Sequence, residues 1–320
     1  MSFFWLSGRK VPGSQVRKRA IFRAAPISEM FLPRSTLLRI LLVTLIITST
    51  CFAAQASSHK INMSECGYSQ PLGRVINGRV ASKLHVPWLV HVVSVRHDNT
   101  ISACGGSIIT RNAILTAAHC VVSKKHRIKR LLVYYNTTRV LRGPFMKVTK
   151  TIIHKKYKNA FLGFDIAVLK LAKPIPRFDW FVRPVCLPGR HEKTRKGPML
   201  LAGYGRPTFK KQGKRLLYYI TKALPDVFCD AALAAEWWMF PVNRSLLMCS
   251  NSRHAIMYKG DSGSPVTAYT RQGQSTQYGI ASFLRPDNSG RAPAVHTRVS
   301  MFIDWIKQSL EEEDKRREHS

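Results

Sequence analysis

From about residue 75 the chain is a succession of short runs rich in Val, Ile, Thr and aromatics, many of them followed by Gly, Pro, Asn or Asp. The clearest are Trp88–Val95 (WLVHVVSV), Ser107–Thr110 (SIIT), Arg130–Tyr135 (RLLVYY) and Gly279–Phe283 (GIASF). Runs of this length and make-up predict strands, and many short strands in one chain predict an all-β sandwich or barrel. One helix is expected late, over Ser300–Leu310, where Phe302, Ile303, Ile306 and Leu310 recur at helical spacing with Trp305 nearby. Pro174, Pro176, Pro184 and Pro188 mark 174–198 as the connection between two halves. With 320 residues, 45% hydrophobic and 21% charged, the chain has room for one or two domains with a sizeable core. Those values exclude a disordered chain and a miniprotein held by disulfides alone.

The N-terminus sets the compartment. Residues 1–39 carry eight Lys or Arg against one acid, Glu29. Ile40–Ala54 is apolar, and Ala54-Gln55-Ala56 is a small-x-small end. This order predicts a secretory signal cut before Ser57. A start at Met30 would give a signal of ordinary length, so residues 1–29 read as an upstream extension of the reading frame. The alternative is a type II membrane anchor, because Ile40–Ser58 is uncharged and barely long enough to span. Either way the remainder is exported into an oxidising compartment, where the six cysteines after Cys51 can pair. Sequons at Asn62, Asn136 and Asn243 are candidate glycosylation sites in such a compartment.

Charge is the outlier of the composition. Lys and Arg number 51 against 17 Asp and Glu, a formal +34 with pI near 10.5. Ten of those cations and two of those acids precede Val75, which leaves 41 against 15, a formal +26, on the remainder. Such a surface attracts polyanions. Lys124–Arg130 (KKHRIKR) and Lys210–Arg215 (KKQGKR) are its densest runs. An exported chain without a nucleic-acid reading motif points away from nucleic acid and leaves anionic lipid or a heparin-like sulfated polysaccharide as the candidate polyanion. No CxxC pair is present to suggest a zinc ribbon.

Three segments carry chemistry together: Leu115–Cys120 (LTAAHC), Phe164–Leu169 (FDIAVL) and Gly260–Pro265 (GDSGSP). Each alone has a structural explanation. Jointly they supply a base (His119), an orienting carboxylate (Asp165) and a hydroxyl nucleophile (Ser262), in that order. The flanking segments Cys104–Ser107 (CGGS), Arg183–Pro188 (RPVCLP), Gly203–Gly205 (GYG) and Thr297–Ser300 (TRVS) complete a pattern that resembles the chymotrypsin-like, trypsin-fold serine endopeptidases from about Cys66 to Leu310. The resemblance implies an all-β fold of two six-stranded antiparallel β-barrels, about 75–180 and 190–300, with a C-terminal helix. It divides the chain into a leader and signal (1–56), a propeptide (57–74), a protease domain (75–310) and a charged tail (311–320).

The resemblance also implies the roles of further residues. The N–H groups of Gly260 and Ser262 would form the oxyanion hole. Cutting after Arg74, by an activating trypsin-like protease, would free Val75, whose ammonium would pair with buried Asp261. The disulfides would be Cys104–Cys120, Cys229–Cys249 and Cys66–Cys186. Two bridges common in the family are missing: Met199 and Ala268 stand at one, Tyr258 and the loop 285–290 at the other. Ser264 stands where the family usually has glycine. In the specificity pocket, Ile256 occupies the base where tryptic enzymes carry Asp, and Leu284 and Ala294 replace glycines on the walls. This predicts a shallow apolar pocket for small or medium residues. Neither cofactor nor metal is implied, and the expected partner is a protein or peptide substrate. Two other readings stay open: a non-catalytic binding protein on the same scaffold, motivated by the bulky pocket, and a polyanion-binding module.

Overall fold

Strand pairing divides the described part of the chain into two closed barrels. The first is built from β2 (Leu89–Arg96), β3 (Ile101–Thr110), β4 (Ala113–Thr116), β5 (Ile128–Tyr134), β6 (Phe145–Ile153) and β7 (Ala167–Leu171), closed in the order β2-β3-β4-β7-β6-β5. All pairs are antiparallel. β2, β4 and β7 are buried almost throughout, which is why their sequences are mostly apolar, the exceptions His91, Ser94, Thr116 and Lys170 being buried as well. Val90, Val92, Ile108, Ile114, Leu115 and Leu169 form the centre of the core.

The second barrel comprises β8 (Pro198–Gly203), β9 (Leu217–Ala223), β10 (Leu247–Asn251), β11 (Pro265–Tyr269), β12 (Ser275–Leu284) and β13 (Ala294–Arg298). The order β9-β10-β13-β12-β11-β8 closes through β8–β9 pairing. This is a computed structural model, and it describes residues 60–70, 79–80, 82–122, 127–205, 215–237, 243–251, 257, 260–270, 273–284 and 293–311. The leader and signal, Arg74, Val75, Ile256, Tyr258 and the tail from 312 onward lie outside the described residues. Among the described residues no helix is long and apolar enough to cross a membrane; Ile40–Ser58 is not among them.

Three findings go beyond the sequence reading. The short strand β1 (Arg79–Val80) pairs with Tyr218 and Leu217 of β9, so a segment expected in the first barrel joins the second. The reason is an open edge: β10 covers only Lys222 and Ala223 of β9. A helix, α1 (Asp226–Trp237), precedes the expected C-terminal one, α2 (Ile303–Glu311). Pro225 at its entry, Asp226 in its first turn and the alanine-rich stretch AALAAEW are all helix-favouring. The connection 174–198 is packed in place: Ile175, Val182, Val185 and Leu187 are buried. It is tied to each barrel by a backbone hydrogen bond, Val185 N–H to Ile108 O (3.0 Å) and Cys186 N–H to Ser275 O (3.3 Å).

The disulfides are Cys66–Cys186, Cys104–Cys120 and Cys229–Cys249. Met199 and Ala268 are buried in one apolar cluster with Met248, Met257 and Tyr278, so packing stands where a bridge is missing.

Candidate active site

Strand register brings His119 and Asp165 together. His119 lies in the 3-10 turn Ala118–Cys120 after β4, and Asp165 lies two residues before β7. Thr116 pairs with Ala167 across β4 and β7, which sets the two side chains next to each other. Asp165 is fully buried, and both its carboxylate oxygens accept hydrogen bonds. His119 N–H reaches Oδ1 at 2.9 Å, His119 Nδ1 lies 2.7 Å from Oδ2, and Ser282 Oγ donates to Oδ2 at 2.5 Å. Thr297 Oγ1 donates to the Asp165 carbonyl at 2.9 Å. Burial alone would push the Asp165 carboxyl up; the hydrogen bonds from His119 and Ser282, together with the charge His119 can carry, outweigh it and hold the carboxyl below its usual range. The carboxylate therefore stays ionised at neutral pH. With Nδ1–H directed at Asp165, Nε2 is left as the acceptor nitrogen of the neutral ring.

Ser262 occupies a turn made possible by two glycines with left-handed backbones, Gly260 (φ 105°) and Gly263 (φ 79°). A Cβ at Gly263 would run into Gly105 and Thr116. The turn is pinned to both barrels: Gly105 N–H donates to Ser262 O and Gly263 N–H to Ala281 O, each at 2.7 Å. Next to it, Asp261 is buried and accepts a hydrogen bond from Gly205 N–H at 2.8 Å. Side chains at Gly203 or Gly205 would collide with its carboxylate. Burial, reinforced by the Asp261 charge, pushes the Tyr219 hydroxyl well up, so this is an anionic, enclosed spot. His119, Gly260 and Ser262 share a cleft of about 210 Å³ beside the Cys104–Cys120 bridge. Cys104, His119 and Cys120 stand close enough to hold a metal ion, but the two sulfurs are bonded to each other, and the thiolate is the ligand form.

The sequence model of the trypsin family matches residues 75–306. The chain belongs to the trypsin family. It is a chymotrypsin-like serine endopeptidase, a hydrolase, by that membership. Among the relatives it resembles are chymotrypsin-C of Mus musculus, 30% identical over 243 residues, with 74% of this chain and 89% of the relative covered. Phenoloxidase-activating factor 3 of Holotrichia diomphalia is 29% identical (77% of this chain, 75% of the relative). Chymotrypsin-like elastase family member 3B of Homo sapiens is 27% identical (76% and 91%).

Against this family background the other predicted residues fall as follows. Leu284 and Ala294 face each other across β12 and β13 and pack, partly buried, on the Met199–Met248–Met257–Tyr278 cluster. They do not line the cleft shared by Ser262 and His119. Ile256 lies outside the described residues. Asn243 is exposed and its Oδ1 accepts from the sequon hydroxyl of Ser245 at 2.7 Å. Asn62 is occupied by the backbone of Leu187, at 2.7 and 2.9 Å, and Asn136 has its Oδ1 buried. The sequence reading gave no role to Ser282 and treated Thr297 as a landmark only. The available signal was a serine within the apolar run Gly279–Phe283 and the threonine of the Thr297–Ser300 landmark.

Ser264 is fully buried, and its Oγ has no hydrogen-bond partner among the described residues. A buried unsatisfied hydroxyl is destabilising, and Ser264 has no left-handed backbone that would penalise a methyl group. Ser264→Ala is expected to raise stability by about 1–2 kcal/mol. Denaturant unfolding of the two proteins checks this; a loss of stability would show that the hydroxyl is satisfied in solution.

Proposed function

We propose that the protein is exported as a precursor, is switched on by cleavage after Arg74, and then hydrolyses peptide bonds with His119, Asp165 and Ser262. The observation that carries the reading is the buried, doubly engaged Asp165 oriented on His119 at a cleft that also holds Ser262. Ser262 Oγ attacks the scissile carbonyl while His119 Nε2 takes its proton. Asp165 holds the ring in the required tautomer and stabilises the imidazolium. The tetrahedral oxyanion is received by the N–H groups of Gly260 and Ser262, neither of which donates to a described backbone carbonyl. His119 then protonates the departing amine, and water, activated by the same nitrogen, releases the acyl group. No hydrogen bond joins Ser262 Oγ to His119 among the described residues, and such contacts are commonly long before substrate is seated. A fluorophosphonate probe should label Ser262 of the cleaved protein and not of the precursor. Absence of labelling after verified cleavage would favour a binding protein on this scaffold.

For specificity, Ile256 at the pocket base supplies no carboxylate, and burying an ammonium without one is costly. Leu284 and Ala294 narrow the walls. A peptide library varied at the residue preceding the scissile bond (P1) is expected to be cut after Ala, Val or Leu, less after Phe or Tyr, and not after Lys or Arg. Cleavage after Arg would refute the pocket assignment.

The +26 of the chain from Val75 onward is the observation that favours a second property, retention by heparin-like polyanions. The protein is expected to stay on a heparin column at physiological salt and to elute as salt screens the contacts. Flow-through at low salt would remove this property. Asn243 is the sequon best placed to carry a glycan, being exposed with the Ser245 hydroxyl of its sequon donating to its amide oxygen.

A further inference from the structure

The cleft that holds Ser262 and His119 extends away from β12 and β13 toward the β2–β3 hairpin. Its walls include Arg96, Ser102, Val122, Ile128 and the Cys104–Cys120 bridge, and no acidic residue is among the described residues that line it. Arg96 closes β2 and is held in place: its N–H donates to Thr100 O at 3.0 Å, its carbonyl accepts from Asn99 N–H at 3.0 Å, and it pairs with Ile128 of β5. Its Nη1 donates to Thr100 Oγ1 at 3.1 Å, while Thr100 Oγ1 is turned to Asp98 Oδ1 at 2.7 Å. Its Nε is buried with no hydrogen-bond partner among the described residues. Arg96 borders the cleft, and a carboxylate matches the fork geometry of a guanidinium. Val122 and Ile128 beside it offer apolar surface to a methylene stem.

The position of this cleft decides what occupies it. Leu284 and Ala294, which would bound the pocket for the residue before the scissile bond, are not among its lining. On the catalytic reading, the lining it does have, the Cys104–Cys120 bridge, Ser102, Ala103 and Arg96 of the first barrel beside His119 and Ser262, is where the departing amine half of the substrate would sit. Resting on the catalytic reading above, we propose that Arg96 selects substrates with an acidic side chain, glutamate above aspartate, within the first three residues after the scissile bond. The strongly positive chain attracts acidic peptides in any register, but that attraction is screened over a Debye length of about 8 Å at physiological salt. A built contact differs from it in being tied to one position.

The test uses Glu/Gln peptide pairs placed at each of the first three positions after the scissile bond and, as a control, four residues before it, with the P1 residue the library selects. At physiological salt the cleaved enzyme is expected to show kcat/KM about tenfold higher for Glu than Gln at one downstream position and a ratio near one at the upstream control. Arg96→Gln should bring the downstream ratio to near one, and Arg96→Lys should restore part of it. Equal ratios at all positions in the unaltered enzyme, or a preference that survives Arg96→Gln, would overturn the proposal. A second arm measures binding of the same labelled peptides to the cleaved Ser262→Ala protein by fluorescence anisotropy, where about tenfold tighter binding of the Glu peptide, lost in the added Arg96→Gln, is expected. This arm decides the role of Arg96 even if the unaltered enzyme proves inert, so loss of the catalytic reading and loss of this one are separately visible.

Discussion

Asp165→Asn is expected to lower kcat by about 10⁴-fold while leaving the fold in place. The carboxylate accepts three hydrogen bonds, two from His119 and one from Ser282. An amide supplies one acceptor oxygen and a donor nitrogen. If its oxygen stays with His119 N–H, its NH₂ faces Nδ1 and Ser282 and forces the proton of the ring onto Nε2. The nitrogen that should take the Ser262 proton then already holds one. Ser262→Ala removes the proposed nucleophile, and turnover should fall to the level supported by binding and the proposed oxyanion donors alone. The double variant should be hardly worse than Ser262→Ala, because the residues act as a unit. Steady-state kinetics on an ester substrate, with far-UV circular dichroism to verify folding, measures all three. Additive losses, or an unchanged rate in Ser262→Ala, would show that the chemistry resides elsewhere.

Much of this arrangement was legible in the sequence, for reasons that differ from element to element. Strands such as β2 and β12 could be read because they are largely buried and carry short runs rich in Val, Ile and aromatic residues, Trp88–Val95 and Gly279–Phe283. The resemblance in Gly203–Gly205 and Gly260–Pro265 was informative because these glycines are where a side chain would strike Asp261 or where the backbone turns left-handed. What the sequence hid was geometry created by distant pairing. Ser282 and Thr297 lie 117 and 132 residues from Asp165 and meet it only when β12 and β13 close their barrel against β7. β1 escaped notice because two residues carry no periodicity and its partner is an uncovered edge of β9. Helix α1 was overlooked because its buried positions are few and its sequence signal is composition, not a stripe. Arg96 reads in sequence as one cation among 51, and only the cleft beside Ser262 distinguishes it.

Arg74→Gln is expected to give an exported precursor that trypsin-like proteases cannot switch on, with activity about a thousandfold or more below that of the cleaved enzyme. The argument is one of reach and charge. β1 is fixed to β9 with Arg79 opposite Tyr218, and Val75 precedes Arg79 by four residues. Four extended residues span at most roughly 14 Å. Tyr219, the next residue along β9, already feels the charge of Asp261. A new ammonium at Val75 is therefore expected to reach the buried carboxylate of Asp261. Before cleavage that nitrogen is a neutral amide and carries no charge to place there. Breaking a buried pair of this kind costs about 3–5 kcal/mol, and here the cost falls on the turn that carries Gly260 and Ser262. Arg74→Lys should still be activated by trypsin, which separates loss of the cut from loss of the fold. Asp261→Asn should stay silent after a verified cut at Arg74, because the ammonium then finds no charge. Full activity in uncut Arg74→Gln, or in cleaved Asp261→Asn, would show that the Ser262 turn is formed without the new N-terminus.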